Sequence, residues 1–312
     1  MRQVSLISSH GEQKERNTSI EPKLDAITRA NALAEKVKQR TKAESPQLNK
    51  IVVQLPLWPD MVRGVPNAAL RSALFGAIKK GARPYLERQK IHSQEGICII
   101  YTGARLDQGD LDVWQVVLHL MRLQTLSNEC RFKAYQLLKK LGKTDTGKNR
   151  DILNRRLSRM NATGIEVKTI GKISYEGSLI DEVYRDENNR EYVIRLNPKL
   201  IALFAADQFT QVDWNVRQSL TGHMLAQWLH GYYASHAKPY PLNVSTLLML
   251  SGSENMEPRS SRQKLCKALE ALTAASNKYA QPFSYEIRGN LVHVDKMPSG
   301  TQRRHLAKRA AR

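Results

Sequence analysis

Cysteine is scarce in this 312-residue sequence: Cys98, Cys130 and Cys266 are odd in number, scattered and free of CxxC spacing. That excludes a disulfide framework and a zinc ribbon, and the three thiols read as small core residues of a reduced, cytosolic protein. No stretch reaches the roughly 18–20 consecutive apolar residues needed to span a bilayer. The opening Met1-Arg2-Gln3-Val4 leads into no apolar core with a small-residue cleavage site, so a bacterial cytoplasmic location is expected. No GxxxxGK[ST] loop is present to cradle a nucleotide phosphate. Rolling-circle nucleases need a His-apolar-His metal pair with a nucleophilic Tyr. Here His293 has no His two residues away, and His223 and His230 stand seven apart without a carboxylate beside them. Tyr232-Tyr233 reads as helix packing. The expectation is a protein that is not an enzyme and uses no cofactor or metal.

Acidic residues are outnumbered: 29 Asp and Glu face 49 Lys and Arg, a formal charge of +20 and a pI near 10.0. A charge of that size is screened by a polyanion or by an anionic membrane surface. At about 100–200 residues per domain the length predicts two domains, and 41% hydrophobic content supplies packed cores. Residues 1–50 are polar. Leu24, Ile27, Ala30, Leu33, Ala34 and Val37 keep helical spacing there, giving either one marginal helix or a disordered basic arm. Lys42 to Lys50 reads as a linker. Gln54-Leu55-Pro56-Leu57-Trp58, just ahead of Pro59-Asp60, is held extended by its prolines. Its three large apolar side chains either pack on their own domain or dock in a partner's groove.

The most informative stretch is 239–295. Pro239-Tyr240-Pro241-Leu242 is an extended entry. Asn243 is placed to cap an apolar helix over 244–250, and Ser251-Gly252-Ser253 is the turn that ends it. Pro258 opens a second helix, where a missing N–H costs nothing. Leu265, Leu269 and Leu272 recur at spacings of four and three, one apolar face. Arg259, Gln263 and Lys267 lie opposite, with Arg262 on the flank. Segments 283–287 and 291–294 around Arg288-Gly289-Asn290 read as a hairpin. Helix, turn, basic helix and hairpin in that order describe a winged helix, whose second helix enters a DNA major groove. Taken alone, the bland reading is a small α+β domain with a solvated basic face.

The same order occurs earlier. A helix over 66–76 carries Ala69, Leu70, Ala73 and Leu74, and strands follow at 86–92 and 97–102. Asp110 is placed to cap a long helix with Leu111, Trp114, Val117, Leu118 and Met121 inward. A helix over 134–141, a turn over 143–147 and a helix over 148–162 come next. On the last, Leu153, Leu157 and Met160 point inward, Lys148, Arg155 and Arg159 outward, with Asn154 beside them. Strands over 165–170, 172–185 and 191–196 supply a long wing. Residues 198–205 and a strand over 208–213 bridge to the second copy, whose long first helix runs over 220–235. The tail after Asp295 has Arg303, Arg304, Lys308, Arg309 and Arg312 and no acid, so it adds phosphate contacts or stays disordered. A repeat strengthens both copies. The expected fold is α+β: a flexible basic arm and linker (1–50), winged-helix domain 1 (51–213), winged-helix domain 2 (214–296) and a disordered basic tail (297–312).

Seven blocks in register resemble TrfA-type plasmid replication initiators. They are Trp58-Pro59-Asp60, Arg71-Ser72-Ala73-Leu74-Phe75, Tyr101-Thr102-Gly103, Val113-Trp114-Gln115, Leu157-Ser158-Arg159, Leu203-Phe204-Ala205 and Pro239-Tyr240-Pro241-Leu242. The resemblance spans about residues 51–295. It implies a protein that binds direct repeats, iterons, in a plasmid origin and helps melt the adjacent AT-rich segment. It also implies recruitment of the host initiator DnaA, the replicative helicase and the polymerase sliding clamp. The DNA-bound form is then a monomer, with an inactive homodimer restraining copy number. The family's clamp peptide has the form Gln-Leu-x-Leu-aromatic. Gln54, Leu55, Leu57 and Trp58 are similar in pattern, departing in a final Trp and a central Pro. Lys148, Asn154, Arg155, Arg159, Arg259, Arg262, Gln263 and Lys267 are the expected DNA contacts: Arg bidentate to guanine, Asn or Gln to adenine. The rival functions are a winged-helix transcriptional regulator on a palindromic operator and a nonspecific nucleoid or membrane-surface protein.

Overall fold

The computed structural model describes Glu35 and residues 55–310, interrupted at 79–80, 82, 124–128, 170–171, 187–188, 190, 206 and 254–256. The expected arm helix, the linker and Gln54 lie outside the described residues. Strand β1 (Val62–Pro66) leads through helix α1 (Asn67–Leu70) and β2 (Phe75–Gly76) to β3 (Tyr85–Ile91), β4 (Ile97–Ala104), β5 (Leu106–Asp107) and the long helix α2 (Gln108–Met121). Then come β6 (Glu129–Lys133), α3 (Ala134–Lys140), α4 (Gly147–Asn161), β7 (Gly164–Thr169), β8 (Lys172–Gly177), β9 (Glu182–Asp186) and β10 (Glu191–Arg195). A 3₁₀ helix (Pro198–Phe204) precedes β11 (Phe209–Asp213), α5 (Trp214–Ser219) and α6 (Met224–Ala234). The chain finishes with β12 (Leu242–Asn243), α7 (Val244–Leu250), α8 (Pro258–Lys278), β13 (Phe283–Arg288), β14 (Leu291–Lys296) and α9 (Gly300–Ala310).

Helix α2 starts one turn before its expected cap. Asp107 has extended backbone and its carboxylate accepts the Asp110 amide at 2.9 Å. Asp110 returns the bond by accepting the Asp107 amide at 2.9 Å. Asp110 is thus the third residue of a reciprocal capping box, not the cap. Leu111, Trp114, Val117, Leu118 and Met121 are buried as expected, but so are Gln115 and His119 on the other side. A helix buried on both faces is an interior strut.

Other expected elements are shorter. The helix over 66–76 is only the single turn α1. Past it the chain exchanges bonds with 92–94: Ala73 donates to His92 O and Gln94 to Arg71 O, at 2.7 and 2.9 Å. This isolated bridge has taken the Ala73 amide and the Arg71 carbonyl that a longer helix would use. The strand over 172–185 is two strands in two sheets. Between them Leu179 and Ile180 are buried, and Trp114 Nε1 donates to Leu179 O at 3.3 Å. The helix over 220–235 begins later, at Met224. Gly222, with φ of 95°, turns the chain between α5 and α6. Asn243 stands at the α7 cap position without a side-chain bond, and the Asn290 carbonyl accepts the amide of the next residue, Val244, at 3.0 Å. The tail is not featureless: it forms α9, pinned where Gln302 Nε2 donates to Ala234 O at 2.7 Å.

Residues 51–312 group as one compact unit, yet the apolar interior is in two parts. One cluster runs from Leu55 to Trp214 and the other from Val216 to Val292. Each contains the same succession. A long helix is followed by a short strand, two helices and an antiparallel hairpin, and the short strand pairs with the second hairpin strand. The sheet orders are β6-β10-β9 and β12-β14-β13. The registers correspond too, with Lys133 opposite Glu191 and Asn243 opposite Leu291. The first half adds β7 and β8, which join β3 and β4 in a four-stranded sheet. Strand β11 pairs antiparallel with β1, bringing the two ends of the first half together.

Candidate nucleic-acid interface

Both helix pairs turn by the same device. Helix α3 ends at Gly142 (φ 66°), where Lys143 N donates to Leu138 O at 2.8 Å and Gly142 N to Lys139 O at 3.0 Å. Helix α7 ends at Gly252 (φ 68°), where Ser253 N donates to Leu248 O and Gly252 N to Met249 O, both 3.0 Å. This is the Schellman arrangement, which needs a residue without Cβ at the left-handed position. The second helices then begin on side-chain caps. Thr146 Oγ accepts the Asn149 amide at 3.3 Å, and the Glu257 carboxylate accepts the amides of Arg259 (3.1 Å) and Ser260 (2.6 Å). The Ser260 side chain and those amides hold the Glu257 carboxyl below the usual carboxylate range.

Leu153, Leu157 and Met160 of α4, and Leu265, Leu269 and Leu272 of α8, are all buried at 1% exposure or less. The opposite faces are wet. Lys148 and Arg155 are exposed on α4, and Arg259, Arg262, Gln263 and Lys267 on α8. Arg262 Nη1 also donates to the Gly289 carbonyl at 2.6 Å, tying the helix to the tip of the β13–β14 hairpin. Asn154 is half-buried; its Oδ1 accepts the Tyr192 hydroxyl of β10, while Arg185 of β9 donates to Ser158 Oγ at 2.8 Å. Each hairpin is therefore bonded to the second helix of its own pair.

Arg159 does not join the outward row. Its Nη1 lies 2.6 and 2.7 Å from the two oxygens of Asp110, which is completely buried. Arg156 (3.3 Å from Asp107) and Arg83 complete a cluster of three guanidiniums around two carboxylates. Burial raises the Asp107 pKa, but Arg156 and Arg83 outweigh it and hold the group below its ordinary value. Asp110 goes the other way, pushed up by burial and then by the Asp107 charge. The cluster fixes α4 against the start of α2. Period-3.6 spacing places Arg159 outside only if nothing packs over that flank, and α2 does.

Of the two expectations for the segment around Trp58, packing on its own domain is the one found for Leu55 and Trp58. Leu55 and Trp58 are buried at 3% and 4%, while Leu57 is 68% exposed. Trp58 stacks on Phe204, donates from Nε1 to His119 Nδ1 at 3.1 Å, and accepts Arg122 Nε on its carbonyl at 2.9 Å. Gly64 faces the ring so closely that an added Cβ would lie 2.6 Å from it. Trp58 is a core side chain rather than a free hook.

Lys264 on α8 and Arg288 and Arg185 on the hairpins, not among the expected contacts, are also exposed. Their places on a helix and two wings already assigned were the available signal. Among the described residues no group of three His, Cys, Asp or Glu could hold a metal, and no helix is long and apolar enough to cross a membrane. His230 is buried within α6 and Tyr232 stacks on Trp228.

Comparison with known proteins agrees with this architecture. Domains 2 and 3 of RctB superpose with a TM-score of 0.52 at 14% identity, over 74% of this chain and 98% of that one, a likeness of fold. The Plasmid replication initiator protein TrfA of Escherichia coli is 27% identical over 266 residues, 83% of this chain and 69% of that protein. The model of the TrfA protein family matches residues 16–293, both helix pairs and their hairpins together, and the chain belongs to that family.

Proposed function

We propose that this protein is a plasmid replication initiator that grips origin direct repeats with two tandem winged helices, α3–α4 with β9–β10 and α7–α8 with β13–β14. The observation carrying this is the repeated unit, each copy with its apolar stripe buried and its basic second-helix face in water, in a chain of the TrfA family. Lys148 and Arg155 on one unit, and Arg259, Arg262, Gln263 and Lys267 on the other, are its reading and phosphate-holding groups. Two units in one chain suit direct repeats, because each monomer carries both reading heads and needs no palindrome. Successive major grooves lie one turn apart, so a monomer protects about two turns of duplex.

Melting of an AT-rich neighbour, recruitment of DnaA and the replicative helicase, and copy-number restraint by an inactive dimer belong to the same reading, acting in the bacterial cytoplasm. The protein contributes binding and DNA deformation with no catalytic step of its own; bending a site costs on the order of 1–6 kcal/mol. A sliding-clamp contact through Leu55 and Trp58 is not part of the proposal, since both side chains are inside the fold. Footprinting the purified protein on its plasmid origin at near-physiological salt is the test. Protection of tandem repeats is expected; a lone palindromic operator would favour the transcriptional regulator instead.

A further inference from the structure

The turn of each helix pair is bonded to the other half of the molecule. Gln218 of α5, beside the second core, donates from Nε2 to Lys140 O at the end of α3, 3.1 Å away. In return, Arg105 of the first half donates to Gly252 O at 2.8 Å, and Ala77 N to Ser251 O at 2.7 Å. Next to Gln218 in the chain, Arg217 is fully buried and reaches α2 of the first half, with Nε 2.6 Å from Asp112 Oδ1 and Nη2 3.1 Å from both oxygens of Gln108. The packing there has no slack: a Cβ added at Gly231 of α6 would lie 2.8 Å from the Leu70 side chain of α1.

Two modules on a flexible linker would leave those turn carbonyls to water. Here three of them accept donors from across the seam, so movement of one helix pair against the other breaks direct bonds. We propose that this seam sets the distance and rotation between α4 and α8, and that Gln218 and Arg105 are positioning residues fixing the half-site spacing accepted in DNA. The inference rests on the reading that both units engage one duplex. Each inserted base pair displaces the second half-site by about 3.4 Å and turns it by about 35°. A bonded seam cannot follow; a loose tether can, because only effective concentration changes.

The test is fluorescence anisotropy with the full chain on its footprinted repeat and on versions with 1, 5 and 10 base pairs inserted between the half-sites. For the unaltered protein, affinity is expected to fall about 30-fold or more at +5, with no recovery at +10 although the grooves realign, because the span is then about 34 Å too long. The double variant Gln218→Ala with Arg105→Ala is expected to bind the native repeat within about 5-fold of the original and to lose part of the +1 penalty, since the Arg217 pairing and the Ala77–Ser251 bond remain. Both side chains are half-buried and their carbonyl partners lie at turns, so the fold survives their loss, which circular dichroism checks. Affinities within about 3-fold across all spacings would overturn the inference, as would an unchanged spacing profile in the folded double variant. Failure of the unaltered protein to prefer its native repeat over random DNA would instead sink the origin-binding reading itself.

Discussion

Arg155 and Arg159 sit one turn apart on α4 and have different surroundings. Arg155 is exposed, whereas Arg159 neutralises a completely buried Asp110. Arg155→Ala should weaken DNA binding about equally on all sequences, lower the salt slope by about 1 if it holds a phosphate, and leave stability alone. Arg159→Ala should do the reverse. Removing a partner from a buried pair costs up to about 3–5 kcal/mol, moderated here because Arg83 and Arg156 remain, and urea unfolding reads the loss. If Arg159→Ala unfolded at the same urea concentration as the original, the structural role would be wrong. Arg262 joins the α8 face to the hairpin tip, so Arg262→Ala should cost about 1–3 kcal/mol of binding and relax preference at one base position if it reads a base.

Two buried histidines, His119 and His230, and the half-buried His236 give the fold a pH dependence. Burial, then the Arg63 charge, pulls His119 down to about 3; burial, then Arg217, pulls His230 to about 3; burial, then Arg71, pulls His236 to about 4. The unfolded chain takes up these protons near pH 6.5, before the folded one does. Stability is therefore complete above that pH and is lost as pH falls toward 4 and then 3, at most on the order of 2 kcal/mol per histidine between pH 6.5 and 5. Urea unfolding at pH 7 and pH 5 checks the sign: equal midpoints would rule it out.

At the level of elements, the turns carry the matching logic of the two halves. Gly142→Ala and Gly252→Ala put a Cβ on left-handed backbone, each costing about 1–2 kcal/mol. Gly252 should be the worse site, since its Cβ would also lie 2.7 Å from the Arg105 guanidinium and 3.1 Å from Ala73 Cβ. Chemical denaturation of both variants checks the order. The long helices rest on their apolar stripes instead. Leu269→Ala empties a fully buried site on α8 and should cost about 2–5 kcal/mol, reducing DNA binding only through the folded fraction.

At the scale of the whole molecule, the positive charge and the doubled unit act together. If six to ten phosphates are contacted, log affinity should fall against log salt with a slope of about −5 to −9. A sequence preference that survives this screening separates origin recognition from nonspecific coating. Measuring repeat and random duplexes across a salt series reads both quantities. A preference that vanished with rising salt would return the protein to the nonspecific class.

The amino-acid order alone determined the two helix pairs, their hairpins and the apolar stripes. These depend on contacts three or four residues apart and on glycines at turn positions, as with Leu265, Leu269 and Leu272 before Phe283–Arg288. Tertiary structure decided what distant elements do to a residue. It turned Arg159 inward because α2 lies over that flank, buried Trp58 against His119 and Phe204, and split the strand over 172–185 so that Leu179 could reach the core. It also decided the bonding of each turn to the opposite half. Such contacts join residues more than seventy positions apart, and no local periodicity records a partner that folding alone brings near.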